Sequence, residues 1–292
     1  MRKVFCFELR SFLEVPENPM RVVSLTPSIT ATLIEMGLGK LIVGVSPWCR
    51  SLRCLGIDVP SLPVVGSYTG VNEVLLRELE PDLVLISGGY QASKLVEVLR
   101  GLGVPFYVAR LPRGLEFLEF GVELGYVLNA IPKGFQLLRE GLSSLAKARE
   151  VAEALGLAGA RVVVAMRIGS DLVLPGFASH VVQALEVLGL ECPNKSIESS
   201  YLWGSEAVSA LEKLCAEADA VLYQQPLSEP RIVEDEVSRA CGKASVVYLP
   251  LLSLSDYSPH FAKRLPRLVQ VLSEAVKSRG SKLVATPAQL AP

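Results

Sequence analysis

One strand-to-helix junction, met twice along the chain, constrains the fold more than any other feature. Arg21-Val-Val-Ser-Leu25 is a short, largely β-branched apolar run. Thr26-Pro27-Ser28 follows at once, the cap-and-proline start of a helix from Ile29 to Met36 that Gly37 and Gly39 end. In the second half Arg161-Val-Val-Val-Ala165 echoes the strand, and Val182 to Gly189 echoes the helix with its closing glycine. Glu217-Ala-Asp-Ala-Val-Leu222 echoes the junction Glu80-Pro-Asp-Leu-Val-Leu85. Strands alternating with helices predict βαβ units and a mostly parallel sheet, and the echo predicts a duplicated lobe. A chain of 292 residues is long enough for two cores.

The intervening segments fit that scheme. Leu41 to Val45 and Val104 to Val108 read as strands, and Val71 to Glu80 and Ser93 to Leu102 as helices. Pro132 opens an apolar stripe of Phe135, Leu138, Leu142, Leu145, Ala148 and Val151. A helix from Pro132 to Leu155 would rise ~36 Å, enough to act as a strut between lobes. The expected class is therefore α/β, with two Rossmann-like βα lobes joined by a single long helix and a ligand cleft between them. The expected division is an N-terminal extension over 1–20, a lobe over 21–128, the connecting helix over 129–158, a second lobe over 159–280 and a flexible tail over 281–292.

Lys and Arg (29) almost cancel Asp and Glu (30), so no basic excess exists to displace counterions from a nucleic acid. No apolar stretch approaches the ~18 residues needed to span a bilayer. Glu8, Arg10, Glu14 and Glu17 interrupt any secretory core near the start. The six cysteines are scattered without a CxxC, and the two histidines, His180 and His260, stand apart, so the expectation is buried free thiols and no metal site.

In a doubly wound lobe ligands bind beyond the carboxyl ends of the strands. Ser46-Pro47-Trp48, Ser87-Gly88-Gly89-Tyr90 and Met166-Arg167 follow strands, Gly66-Ser67-Tyr68 and Tyr201-Leu202-Trp203 precede helices, and Ser255-Asp256-Tyr257 lies in the last long loop. Large flat rings there suit a broad, partly apolar ligand. No Walker sequence, GxGxxG, GxSxG elbow or HExxH accompanies them, so there are no catalytic candidates.

The run RVVSLTPSITATLIEMGLGKLIVGVSPWC, the segment LPVVGSYTGVNEVLLRELEPDLVLISGG and the half-lobe from Arg161 to Leu222 resemble solute-binding proteins of ABC importers for cobalamin, haem or ferric siderophores. The likeness spans about residues 20 to 275 and is greatest to the cobalamin binders. It implies that Trp48, Tyr68, Trp203, Asp256 and Tyr257 contact the ligand. Where cobalamin binders carry an aromatic after the third strand this chain has Ser87, with Tyr90 three residues on. Met166 and Arg167 stand at a further contact position of the second lobe. The resemblance also implies importer docking through a glutamate on each lobe: Glu73 in the first, one position off the usual register, and Glu206 or Glu212 in the second.

The implied function is a monomeric, non-enzymatic protein that captures a cobalamin-like corrinoid and delivers it to an importer of permease and ATPase subunits. Two alternatives stand beside it: a haem or ferric-siderophore receptor, in which Arg167 pairs with an anionic ligand group, and a cytoplasmic corrinoid-handling protein or enzyme on the same scaffold. Such proteins normally work outside the membrane, so the missing signal implies either a cytoplasmic member or a trimmed or misassigned start.

Overall fold

The computed structural model describes residues 1–67, 69–89 and 92–292. The chain opens with an antiparallel hairpin of β1 (Arg2–Cys6) and β2 (Ser11–Val15), in which Phe5 faces Phe12. Strand alternation turns Val4, Cys6 and Val15 into the first-lobe core and Phe5, Phe7 and Phe12 to the other face. Residues 1–20 thus contribute to the first lobe, where an extension was expected.

The first lobe continues through β3 (Val22–Ser24), α1 (Pro27–Glu35), β4 (Ile42–Val45), the short pair β5 (Gly66–Ser67) and β6 (Gly70–Val71), and α2 (Glu73–Glu78). β7 (Leu83–Ser87), α3 (Ala92–Leu102) and β8 (Phe106–Ala109) complete it. Its sheet is parallel with strand order β4-β3-β7-β8. Every residue of β3, β7 and β8 is buried, as strands covered on both faces require.

The chain then crosses between lobes. The Gly114 amide donates to the Ala178 carbonyl of the second lobe at 2.8 Å, after which α4 (Phe120–Val127) returns against the first. Helix α5 (Ile131–Ala154), 24 residues and ~36 Å long, leads to the second lobe. Its buried face is Gly134, Leu137, Gly141, Leu145, Ala148 and Ala152, while Phe135 and Leu142 are exposed. The sequence stripe therefore named Leu145 and Ala148 of the buried face correctly but not Phe135 and Leu142. At Gly134 a side chain would run into the Gly121 carbonyl of α4, so two glycines, not two large apolar residues, set that contact.

The second lobe holds β9 (Val162–Ile168), β10 (Asp171–Pro175), α6 (His180–Val187), β11 (Tyr201–Trp203), α7 (Gly204–Cys215), β12 (Ala220–Gln224), α8 (Glu236–Ala240) and β13 (Ser245–Leu249). α9 (His260–Lys277), β14 (Lys282–Val284) and α10 (Pro287–Leu290) end the chain. Strand order is β11-β10-β9-β12-β13-β14, with β10 antiparallel to both neighbours. The two halves therefore share the β9, β12, β13 core with β3, β7, β8 but differ beside it. A tight return at Gly169-Ser170, with Gly169 at φ +61°, sends β10 back along β9.

Two expectations are corrected at this end of the chain. Residues 281–292 are not a loose tail: β14 pairs with β13, and Ala285 and Leu290 are buried under a Thr286–Gln289 capping box. The cysteines are not all free thiols. Cys215 at the end of α7 and Cys241 just past α8 form a disulfide, their Cα atoms 5.1 Å apart, while Cys6, Cys49, Cys54 and Cys192 are free and buried. Packing of α7 beside α8 creates that pairing, which a separation of 26 residues does not announce.

Candidate functional site

Three hydrogen bonds show which sheet edges face each other. The Tyr257 hydroxyl donates to Ser87 Oγ at the carboxyl end of β7 (2.6 Å). The Tyr257 amide donates to Ser28 Oγ in the first turn of α1 (3.1 Å), and Ser28 Oγ donates to Asp256 Oδ1 (2.9 Å). The loop after β13 in the second lobe thus meets the ends of β3 and β7 in the first. In doubly wound folds ligands bind beyond the carboxyl ends of the strands, which is where this line runs.

The residues beneath are aromatic. Tyr257 packs edge-on against Phe120, and His180 lies between Phe117, Phe261 and Tyr257. Burial pushes the Tyr257 hydroxyl above its ordinary range and holds the His180 ring down at about 4, hence neutral. The sequence alone assigns no site role to Ser28, His180 or Arg264. Ser28 lies within the Thr-Pro-Ser helix start, the one signal that pointed to it.

Asp256 is 0% exposed, and its carboxylate accepts from Ser28, from the Ser258 amide and hydroxyl, and from Arg264 Nη2 at 3.4 Å. Its oxygens are thus engaged within the joint between the lobes. Met166 is also taken up by packing. It is 1% exposed within the second-lobe core, because the register Trp203–Val173–Met166–Gln224 puts it on the face packed beneath the helices.

Arg167 keeps its head on its own lobe. Its Nε donates to the Tyr223 hydroxyl (3.0 Å), Nη1 donates to the Ser170 carbonyl (2.8 Å), and Nη2 pairs with Glu236. Although burial opposes its charge, the bonds to Tyr223 and Glu236 raise its affinity for the proton. Its three guanidinium nitrogens thus all have partners on the second lobe.

Trp48, one residue into the 3-10 helix Pro47–Leu55 beyond β4, and Trp203, at the end of β11, remain 46% and 47% exposed. Each stands at the carboxyl end of a strand, one per lobe. Register places Trp203 level with Gln224, the last residue of β12. Phe7, Phe12, Phe135 and Phe177 are exposed as well; what sets the two tryptophans apart is their place just beyond strands of both lobes. Ser87 is buried and holds Tyr257; Tyr68 and Tyr90 lie outside the described residues.

Glu73 begins α2 and Glu206 lies in the first turn of α7, both exposed, one on each lobe. Glu212 is exposed farther along α7. A groove of about 690 Å³ between Ser196–Ser199 and α7 adjoins Glu206, and another of about 640 Å³ separates α5 from α9; neither belongs to the cleft. Among the described residues no three His, Cys, Asp or Glu side chains are grouped to hold a metal ion, and no helix is long and apolar enough to cross a membrane.

Comparison with known proteins agrees with this geometry. The sequence profile described as "Periplasmic binding protein" matches residues 22–231. The Vitamin B12-binding protein of Yersinia pestis (strain Pestoides F) is 33% identical over 100 residues, which is 34% of this chain and 34% of that protein. The chain thus matches about a third of that relative's length. Among solved structures, the molybdate-bound periplasmic binding protein MolA of Haemophilus influenzae superposes with a TM-score of 0.72 at 18% identity, over 95% of this chain and 92% of that one. The apo periplasmic heme-binding protein RhuT of Roseiflexus sp. RS-1 gives 0.66 at 18% identity, over 88% of this chain and 98% of that one. At such identities these two likenesses show the fold alone.

Proposed function

Since the chain belongs to the periplasmic binding protein family, we propose that its cleft captures a cobalamin-like corrinoid and hands it to an ABC importer. Family membership makes it a binding protein and not an enzyme, which sets aside the enzymatic alternative. The observation that carries the ligand reading is the pair of half-exposed tryptophans, Trp48 and Trp203, one on each lobe at the strand ends. A broad macrocycle offers each ring apolar surface to cover, at ~25 cal/mol per Å² removed from water. Similarity to vitamin B12-binding proteins over 100 residues supports the same ligand class. The haem or siderophore alternative loses its specific support, since Arg167 is held by Tyr223, Ser170 and Glu236.

Ligand contacts in this reading come from Trp48, Trp203 and Tyr68, with Tyr90 beside Ser87, while Asp256 and Tyr257 hold the floor. Glu73 and Glu206, in the first turns of helices on different lobes, present the acidic pair that the permease would engage; Glu212 lies beyond that turn. A monomer suffices, because both lobes belong to one chain. Equilibrium dialysis against cyanocobalamin, haemin and a ferric hydroxamate siderophore tests the reading. Retention of cyanocobalamin is expected, and its absence at tens of micromolar ligand overturns the assignment.

A further inference from the structure

The hairpin of β1 and β2 lies before residue 22, outside the segment that the family profile matches. Its inward residues Val4, Cys6 and Val15 account for its packing on the first lobe, and Cys6 Sγ donates to the Val108 carbonyl of β8. Its tip, Phe7–Arg10, does more than cover β8. The Gly89 amide, just past β7, donates to Glu8 Oε1 at 3.2 Å, and a Cβ on Gly88 would run into the same carboxylate. On the other side the Arg110 guanidinium, just past β8, stacks over the Phe7 ring at 5.1 Å. Arg110 is steadied by Glu123 at 3.3 Å through its Nε, which leaves the outer end of the guanidinium for another partner. The tip therefore rests on the carboxyl ends of β7 and β8, the strand ends from which Ser87 reaches Tyr257 across the lobes.

From this placement we propose that the hairpin tip is a third wall of the ligand cleft, with Phe7 and Arg110 meeting the rim of a planar metal macrocycle. The inference rests on the corrinoid reading of the cleft and adds a contact that neither lobe's βα core supplies. Phe7 is 53% exposed, so an aromatic ring backed by a cation already stands at the cleft end. Its apolar face suits the macrocycle edge, and the guanidinium suits the carbonyl oxygens of rim substituents, amide arms in a corrin or carboxylate arms in haem.

The test compares affinities of the full chain, Phe7→Ala and Phe12→Ala for cyanocobalamin and for haemin, with Trp48→Ala and Trp203→Ala alongside. Phe12 is exposed on the same hairpin face but opposite Phe5, farther from the tip, and serves as the control. Phe7→Ala should weaken binding at least fivefold at unchanged melting temperature, Phe7→Tyr should restore it, and Phe12→Ala should stay within twofold. A wild-type chain that binds and needs both tryptophans but tolerates Phe7→Ala within twofold overturns the third wall while leaving the corrinoid reading intact. A wild-type chain that binds neither ligand overturns both. Binding of haemin but not cyanocobalamin, with Phe7→Ala still weakening it, keeps the wall and overturns the corrinoid assignment.

Discussion

The Tyr257 hydroxyl donates to Ser87 Oγ at 2.6 Å, joining the last loop of the second lobe to the end of β7 in the first. Two residues that surround the cleft thus spend their polar atoms on each other. Together with Ser28 and Asp256 they form a joint between the two lobes.

Tyr257→Phe removes one buried hydrogen bond across that joint and leaves the Ser87 hydroxyl without its donor. Stability should fall by about 1 kcal/mol, read from urea unfolding, because a lost intramolecular bond nets roughly that amount. An unchanged midpoint would show that the bond contributes nothing to holding the lobes.

Asp256 and Arg264 form the buried ion pair of the floor, both under 5% exposed in their side chains. Asp256→Asn leaves Arg264 buried without its counter-charge and should cost about 3 kcal/mol. Adding Arg264→Met should recover part of that loss, since no charge is then stranded. Additive losses in the double variant would contradict the pairing.

Acid should act in two stages. His180 is neutral in the fold at about 4 against 6.5 unfolded, so its contribution is whole above 6.5 and lost as pH falls to about 4. Burial opposes ionisation of Glu35, but hydrogen bonds from His260 and Lys263 outweigh it and hold its carboxyl down at about 2. That contribution is whole above 4.5 and is lost as pH falls toward 2. In both ranges the unfolded chain binds more protons, so stability declines with acid, by about 3 kcal/mol for each group. Urea unfolding across this range should show His180→Phe flattening the upper stage and Glu35→Gln the lower. Parallel curves for wild type and variants would contradict the assignment.

Much of this was legible from residues whose causes are local. Val22-Val23-Ser24 and Pro27 fix a strand and a helix start within one short segment, and α5 follows from its length and Pro132. Trp48 is legible as following a strand and Trp203 as preceding a helix, because both boundaries are written in local residues. What stayed hidden depends on tertiary partners. Asp256 looks like a ligand contact until Ser28, Ser258 and Arg264 surround it. Phe135 and Leu142 look like core until Gly134 and Gly141 are seen to set the α5 contact. Leu283 and Leu290 read as a tail because the edge of β13 that receives β14 is invisible in sequence, and the hairpin tip is placed only by Gly89 against Glu8 and Arg110 over Phe7.

Denatured, unreduced protein should titrate four thiols, those of Cys6, Cys49, Cys54 and Cys192. Six would show that Cys215 and Cys241 are unpaired. Because their disulfide closes a separation of 26 residues, Cys215→Ser with Cys241→Ser should cost about 3 kcal/mol by loop entropy.

The central claim is that one corrinoid is gripped between Trp48 and Trp203. Isothermal titration of the purified chain with cyanocobalamin, repeated for Trp48→Ala and Trp203→Ala, tests it most directly. A single site per chain in the wild type, weakened about tenfold or more by either substitution, is the predicted result. No heat of binding in the wild type, or binding that ignores both substitutions, would contradict it.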